Sequence, residues 1–320
     1  QWCGPVREAA YAEAERAARM NPIYGCAVIP DRNRSNDPCG EFVLGHVRRY
    51  QFVGRFEPDE PDCGRCPNAV RIHLNRRGCD GVRMTAGVRE DLVVTATAML
   101  DDEVCGFRPR HGRCVLPVVP IALHRHVWDD EVCEDLPDIR FRLMAGPDPH
   151  PGRDERPTAV PLTIGCRDVP GLCNQVRNGV RADECERFER SMGRPFELDC
   201  EHGRLVVPGD RYTGHAHEPL WEALKDLRKS GAVRAWPTTV EFDPRDDHRV
   251  WVTGFVACRV VDVTEDEVPY RPIPWLPCTL RGKVLDVTVR PAMLCTPTAV
   301  TRRGAPANPY VCTVRLLTAE

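Results

Sequence analysis

The pattern of apolar and polar residues first predicts three helices. Residues 5–20 are dense in Ala, Glu and Arg, which favour helices, and predict a helix near the start of the chain. Residues 182–192 and 218–229 have similar composition, and Gly231 follows the second stretch as a typical stop signal. Helices are therefore expected at the start and in the middle of the chain.

Elsewhere, short apolar runs bounded by turn residues predict β-strands. Residues 70–74 alternate apolar and polar side chains, as in a strand with one buried face. Similar runs rich in Val, Ile, Leu and Phe lie at residues 93–96, 139–143, 250–252, 256–263, 284–289 and 311–317. Residues 21–68 are rich in Pro, Gly, Asp and Asn and are expected to form loops. The chain is therefore predicted to be mainly β.

These elements divide the chain into four segments. With 320 residues, of which 42% are hydrophobic, the chain can bury a sizeable core, and its length suits two domains or one domain with large additions. The predicted segments are an N-terminal helical and loop appendage (1–50), a first β domain (51–165), a helical, disulfide-bonded insertion (166–249) and a shorter second β domain (250–320). No apolar run approaches the roughly 18 residues of a membrane-spanning helix, so no membrane span is expected. No apolar signal segment stands at Gln1, so a mature chain is expected.

The cysteine content predicts an oxidising environment. Seventeen cysteines are too many for a reducing compartment unless they bind metal. The one CxxC motif, Cys63-Gly64-Arg65-Cys66, has no second CxxC or HxxxH at zinc-finger distance, which favours disulfides. We therefore expect a secreted, extracellular chain, and the sequon Asn33-Arg34-Ser35 predicts glycosylation at Asn33. The odd number leaves at least one thiol free or bonded to another chain, so a covalent oligomer or partner stays open.

Charge and side-chain clusters exclude several other functions. The net charge of −3 provides no field that would attract a nucleic acid, and no basic run is interleaved with aromatic residues. The pairs His124/His126 and His215/His217 lack a third ligand at a local spacing, so no metal site is assigned to them. The tryptophans are assigned to packing rather than to a ligand site.

Several short motifs follow one another in an order known from one protein family. In chain order they are Gln51-Phe52-Val53-Gly54-Arg55; Pro67 to His73, followed by Cys79-Asp80-Gly81-Val82; Val93-Val94-Thr95-Ala96-Thr97-Ala98-Met99-Leu100; Asp138 to Leu143; Thr253-Gly254-Phe255; Ala292 to Cys295; and Gly304 to Cys312. Together they resemble landmarks of the trypsin-like serine proteases. The resemblance implies a trypsin-like double β-barrel with an abbreviated second barrel, to which the helical appendage and the helical insertion are added.

The same resemblance implies a degenerate catalytic triad. Ala98 stands where the family has its histidine, Asp138 stands at the position of the acid, and Pro306 replaces the serine nucleophile. Alanine cannot accept a proton, and proline has neither a hydroxyl group nor a backbone N–H for the oxyanion hole. The chain is therefore expected not to be an enzyme, and Asp138 is expected to be structural.

Two further family features are also altered. Gln51 and Phe52 are the remnant of the activation site, and Ala305 replaces the aspartate that would pair with the released N terminus. One feature is kept, because Cys278 and Cys295 stand at positions similar to those of a disulfide pair of the family. The resemblance therefore implies a chain that is not activated by cleavage and that keeps this one cross-link.

The sequence is thus interpreted as a non-catalytic, secreted serine protease homologue. Such a chain is expected to act as a cofactor, decoy or scaffold that binds a protein partner or forms an oligomer, without a cofactor or metal. The alternative is an unrelated secreted, disulfide-rich β scaffold, such as a viral or host binding glycoprotein. A third interpretation is an enzyme of another class that uses the histidine pairs or the acidic clusters at residues 101–103, 129–131 and 265–267.

Overall fold

The structure is a computed structural model, and it confirms that the protein is mainly β. It describes residues 3–20, 29–48, 51–54, 67–76, 92–133, 138–144, 158–166, 168–209, 217–242, 249–270 and 280–319. The helices in these residues are α1 (Cys3–Met20), α2 (Arg125–Cys133), α3 (Val169–Asn178), α4 (Ala182–Met192) and α5 (His217–Ser230). The three predicted helices are confirmed as α1, α4 and α5.

Seventeen strands lie in the same residues. They are β1 (Phe42–Arg48), β2 (Gln51–Gly54), β3 (Ala69–Arg76), β4 (Leu92–Asp101), β5 (Val104–Phe107), β6 (Val115–Leu116), β7 (Ile121–His124), β8 (Ile139–Met144), β9 (Ala159–Pro161), β10 (Val180–Arg181), β11 (Leu205–Pro208), β12 (Arg234–Phe242), β13 (Arg249–Tyr270), β14 (Leu280–Pro291), β15 (Leu294–Cys295), β16 (Ala299–Thr301) and β17 (Val311–Ala319). Every predicted strand is confirmed within one of them.

The chain forms two compact units, Gln1–Asp101 with Val314–Glu320, and Asp102–Thr313. In the first unit, β4, β3, β1 and β2 are neighbours in a sheet. Helix α1 packs on this sheet through Tyr11, whose ring meets that of Phe42 at 5.6 Å in an edge-to-face arrangement. The Tyr11 hydroxyl donates to the Pro30 carbonyl at 2.7 Å, so its polar end is satisfied although the residue is buried.

The second unit is built on a mixed sheet with the order β8-β14-β13-β12-β7-β9, and β11 also pairs with β13. Alternate residues of β13 point to opposite faces, as in any strand. Val256 and Cys258 belong to one buried cluster, which α3 and α5 cover, whereas Phe255 and Ala257 belong to a second cluster that includes Phe188 of α4. Residues 255–258 in the middle of β13 are therefore buried on both faces, which explains their uninterrupted apolar sequence.

A buried carboxylate joins two strands of this sheet. Asp286 on β14 is opposite Arg142 on β8 and is only 2% exposed. Its oxygens accept from Arg140 at 2.7 Å and from Arg142 at 2.9 Å. The two guanidinium groups compensate the charge, as a buried carboxylate requires.

The sheets of the described residues are open, and none of them closes into a barrel. The trypsin-like double barrel and its division into four segments therefore stay predictions. No helix in the described part of the chain combines the length and the apolar character that crossing a bilayer requires.

Candidate functional site

The second unit contains a pocket of about 530 Å³ beside the middle of β13. Helix α2 forms one wall, the Thr253–Val256 segment of β13 forms another, and the loop Pro306–Tyr310 forms a third. Val104, Leu198 and Thr238 complete the lining. A pocket of this size fits a small molecule or a few side chains of a bound peptide.

A β-bulge shapes the wall formed by β13. Thr238 of β12 is opposite Gly254, but the next residue, Thr239, is opposite Val252, so Thr253 has no cross-strand partner in the ladder. The Thr253 hydroxyl donates to the Thr238 carbonyl at 3.4 Å. Bulges bend a strand and redirect its side chains, which is why they are frequent beside binding sites.

Asn308 holds the loop wall of the pocket in place. Its side-chain Nδ2 donates to the Phe255 carbonyl at 2.8 Å, and its Oδ1 accepts from the backbone N–H groups of Tyr310 and Val311, each at 2.9 Å. Its own backbone N–H donates to the Asp102 carbonyl at 2.8 Å. One side chain therefore joins the loop to β13 and fixes the turn that leads into β17.

Aromatic rings form the apolar part of the pocket. The rings of Trp128 and Tyr310 meet edge to face with centroids 5.1 Å apart, and Trp128 also stacks on Phe141 at 6.4 Å. On the side of β13, Phe255 meets Phe107 edge to face at 5.1 Å. Trp128 and Phe255 are almost fully buried, whereas Pro306 and Pro309 are exposed at the mouth. The aromatic walls therefore belong to the packed core, and the entrance is open to solvent.

The charged residues at this pocket are a mutually paired set on α2. Arg125 Nε donates to Asp129 Oδ2 at 3.0 Å, and both side chains are about half exposed. Among the described residues that line the pocket there is no Ser, Cys, His or Lys. The lining therefore offers mainly apolar contact and hydrogen bonding, and the one carboxylate among these described residues, that of Asp129, is paired with Arg125.

Part of the sequence-predicted site meets at this pocket. Pro306 lies in its lining together with Thr253, Gly254 and Phe255, although the two stretches are far apart in the chain. The adjacent Ala305 is half-buried, and its N–H donates to the Arg302 carbonyl at 3.0 Å.

The other predicted triad positions have separate surroundings. Ala98 lies on β4 in the first unit, opposite Val70 of β3, whereas Asp138 and Pro306 belong to the second unit. Gln51 and Phe52 are on β2, opposite Arg48 and Val47 of β1.

Asp138 forms a two-pronged ion pair with Arg290 at the end of β14. Arg290 Nε donates to Oδ1 at 2.7 Å and Nη2 donates to Oδ2 at 3.0 Å. These hydrogen bonds from Arg290 lower the pKa of the Asp138 carboxyl below its usual value. Asp138 therefore joins β8 to β14, in agreement with a structural role.

We expect the contribution of Asp138 to stability to depend on pH. Because its pKa is lowered in the folded state, its stabilising effect is present above the unfolded carboxyl pKa of about 4 and is lost as the pH falls through the folded value. Urea denaturation of the wild type and Asp138→Asn should give a difference at pH 7 that shrinks below pH ~4. A difference that grows on acidification would contradict this role.

All three serines of the chain form local hydrogen bonds. The hydroxyl groups of Ser191 and Ser230 donate to helix carbonyls three residues earlier, those of Phe188 and Leu227, at 2.9 and 2.7 Å. The Ser35 hydroxyl donates to Asn33 Oδ1 at 3.4 Å. Bonds of this kind satisfy a helix or turn, and none of them joins a serine to a general base.

The side chain of Asn33, the asparagine of the sequon, forms hydrogen bonds with the backbone of Asp37. Asn33 Nδ2 donates to the Asp37 carbonyl at 2.6 Å, and Oδ1 accepts from the Asp37 N–H at 2.8 Å. Attachment of a glycan to Nδ2 of Asn33 would leave that nitrogen one N–H with which to keep the first of these bonds.

His217 and members of two acidic clusters take part in ion pairs or hydrogen bonds, whereas the rings of His124 and His126 meet each other with centroids 6.3 Å apart. His217 Nε2 lies 3.2 Å from Glu265 Oε2, whose other oxygen lies 2.7 Å from Lys283 Nζ, while His215 lies outside the described residues. In the Glu103 carboxylate, Oε2 accepts from the Gly304 N–H at 3.0 Å. Within the described ranges, no three His, Cys, Asp or Glu side chains gather as metal ligands would.

Among the cysteines whose side chains the structure describes, no two are joined by a disulfide. Cys295 lies exposed on β15, and Cys278, its predicted partner, lies outside the described residues. The Cys278–Cys295 disulfide therefore stays a prediction.

Comparison with family models, curated proteins and solved structures found no match for this chain. The pocket must therefore be interpreted from its own geometry.

Sequence reasoning did not find the aromatic wall of the pocket. Trp128 and Tyr310 were not assigned to a site, because a tryptophan among charged residues has no local feature that separates packing from binding. The one available signal was the Pro-rich stretch 306–309, whose two prolines cannot continue a strand interior.

Proposed function

We propose that the protein is a secreted, non-catalytic homologue of the trypsin-like serine proteases that binds a protein partner through the pocket at Pro306. The observation that supports this most directly is the lining itself, which combines buried aromatic rings with exposed prolines. In this proposal, the place where a protease would hold its nucleophile has become a contact surface, and the double barrel is the ancestral architecture. The cysteine content supports the secreted part of the proposal.

The occupant that fits best is an extended segment of a protein partner that inserts an apolar side chain. Aromatic-lined grooves bind extended, proline-containing segments because these lose little conformational entropy on binding. The polar groups of the pocket are largely occupied by the protein, since Asn308 bonds to Phe255, Tyr310 and Val311. Apolar contact therefore provides the affinity, and the Arg125–Asp129 pair at α2 offers charged contacts to the partner.

The same features argue against turnover. Covalent catalysis needs a nucleophile with a base beside it, whereas in the described lining the Asp129 carboxylate is paired with Arg125 and the Thr253 hydroxyl donates to the Thr238 carbonyl. The hydroxyl groups of Ser35, Ser191 and Ser230 lie in local turns and helices instead. The alternative of an unrelated secreted β scaffold would use this pocket in the same way, so the binding function does not depend on the ancestry.

The test is a selection of peptides followed by a pair of variants. Peptides selected on the wild-type protein from a displayed library should share an apolar anchor residue and should stay intact when incubated with it. Ala307→Arg places a long charged side chain at the exposed rim of the pocket and should weaken their binding by about tenfold or more, or ~1.4 kcal/mol.

Gly112→Arg is the matched control, because it adds the same charge at an exposed position where a new Cβ meets no other atom. It should leave the affinity unchanged, and thermal melts should show that both variants are folded. Peptides that bind Ala307→Arg as tightly as the wild type, or that are hydrolysed by the protein, would refute the proposal.

A further inference from the structure

The short strand β15 places two cysteines side by side. It runs parallel to the start of β17, with Leu294 opposite Val311 and Cys295 opposite Cys312. Backbone hydrogen bonds fix this register, from the Leu294 N–H to the Tyr310 carbonyl at 2.7 Å and from the Thr296 N–H to the Cys312 carbonyl at 3.0 Å. The two cysteines are therefore held opposite each other by the ladder on both sides.

Their side chains are in contact. The two thiols are within hydrogen-bonding reach of each other. Neighbouring strands lie about 4.8 Å apart, a spacing inside the range of roughly 4.4–6.8 Å between the Cα atoms of bonded cysteines. Cys295 is exposed, whereas Cys312 is only 3% exposed. The Cys295 residue is thus accessible to reagents in solution, whereas Cys312 is shielded from them by the protein.

We propose that Cys295 and Cys312 form a reversible disulfide, and that this pair is a redox site of the protein. The bond would close the loop that contains Pro306, Asn308 and Tyr310, and so would tie together both ends of one wall of the pocket. The inference rests on the strand register and does not depend on what the pocket binds.

The chemistry is thiol–disulfide exchange with a low-molecular-weight disulfide. The Cys295 thiolate attacks one sulfur of that disulfide, which releases one small thiolate and leaves a mixed disulfide on Cys295. Cys312 then loses its proton and attacks Cys295 Sγ, which releases the second small thiolate. The protein gives up two protons and two electrons, and the small disulfide is reduced to two thiols.

The second step is expected to be slow. Burial, with a smaller contribution from the Cys295 thiolate, raises the pKa of the Cys312 thiol to about 12. The mixed disulfide carries no charge on Cys295, so that contribution disappears when the first step is complete. Formation of the cross-link should therefore accelerate as the pH rises.

This pairing competes with the one that family resemblance implies. Cys295 can form only one disulfide, so a Cys295–Cys312 bond excludes a bond between Cys278 and Cys295. The two cross-links predict different peptides, which makes them distinguishable by one digestion.

The experiment uses the full chain equilibrated with glutathione and glutathione disulfide, then alkylated and cleaved by trypsin without reduction. The cysteines then lie in separate peptides with one cysteine each: residues 284–302 contain Cys295, residues 304–315 contain Cys312, and residues 260–281 contain Cys278. We expect a linked mass for 284–302 with 304–315, which disappears on reduction. A link between 260–281 and 284–302, or alkylation of both Cys295 and Cys312 in the oxidising buffer, would overturn the proposal.

Two variants control the assignment. Cys295→Ser changes an exposed side chain and should leave the 304–315 peptide alkylated at Cys312. Cys39→Ser replaces another exposed cysteine in the other unit and should leave the linked peptides unchanged. Loss of the linked mass in Cys39→Ser would show that the link forms by exchange with other cysteines rather than from the strand register. Because the readout is a peptide mass, it is independent of the partner-binding test.

Discussion

Replacing Phe255 with Ala is expected to lower the free energy of unfolding by about 3–5 kcal/mol. Phe255 is only 4% exposed, and its ring meets Phe107 at 5.1 Å and Phe196 at 5.9 Å. Removing the ring leaves a cavity in the core and takes away part of the apolar lining of the pocket. The loss should therefore affect both stability and peptide binding.

Denaturation by urea, followed by circular dichroism, measures this loss. Trp251→Ala is the matched control on the same strand, because Trp251 is 38% exposed and the Arg204 guanidinium lies 5.7 Å from the centre of its ring. We expect it to cost less than about 1 kcal/mol. Equal losses for the two variants would mean that Phe255 is not part of a packed core.

The second large effect is expected for Asn308→Ala, which should cost about 3 kcal/mol. The substitution removes three hydrogen bonds, each contributing about 1 kcal/mol, to the Phe255 carbonyl and from the N–H groups of Tyr310 and Val311. The loop wall of the pocket then loses its link to β13, and the selected peptides should bind more weakly.

The variant Asn308→Asp separates the hydrogen bond that Asn308 donates to β13 from the two that it accepts within its own loop. The carboxylate can still accept from Tyr310 and Val311, but it cannot donate to the Phe255 carbonyl. An intermediate loss of stability is expected by the same denaturation measurement. Identical stabilities for Asn308→Ala, Asn308→Asp and the wild type would show that the loop does not depend on this side chain.

Local sequence patterns were sufficient for most of the elements. Residues 182–192 and 256–263 carry their periodicity and stop signals within a few positions, so α4 and the middle of β13 could be predicted. Helices α2 and α3 were not predicted as separate elements. Helix α2 follows β7 directly and contains three adjacent acidic residues, 129–131, whereas α3 begins at Val169 and is capped by Asp168, whose side chain accepts from the Gly171 N–H at 2.8 Å.

The candidate site could be predicted only in part, because its walls come from distant parts of the chain. The stretches at Thr253 and Pro306 were singled out by their resemblance to family motifs, and both line the pocket. Trp128 joins them through tertiary packing alone, which no local pattern encodes. The partner of Asp138 is Arg290, and this pairing depends on the arrangement of β8 and β14 rather than on spacing.

The cysteine pairs could also not be predicted from local patterns, because their members come from distant parts of the chain. Spacing indicated that disulfides are expected but left their connectivity open, and the resemblance assigned Cys295 to Cys278. The contact between Cys295 and Cys312 arises from a parallel register between two strands, which becomes visible only in the folded chain.

We have proposed the pocket at Pro306 as the place where a partner binds. A crystal structure of the protein with one selected peptide tests this most directly. We predict an apolar side chain of an intact peptide in contact with the rings of Trp128 and Tyr310, with the Asn308 hydrogen bonds preserved. A peptide bound elsewhere while this pocket stays empty, or a cleaved peptide, would contradict the account.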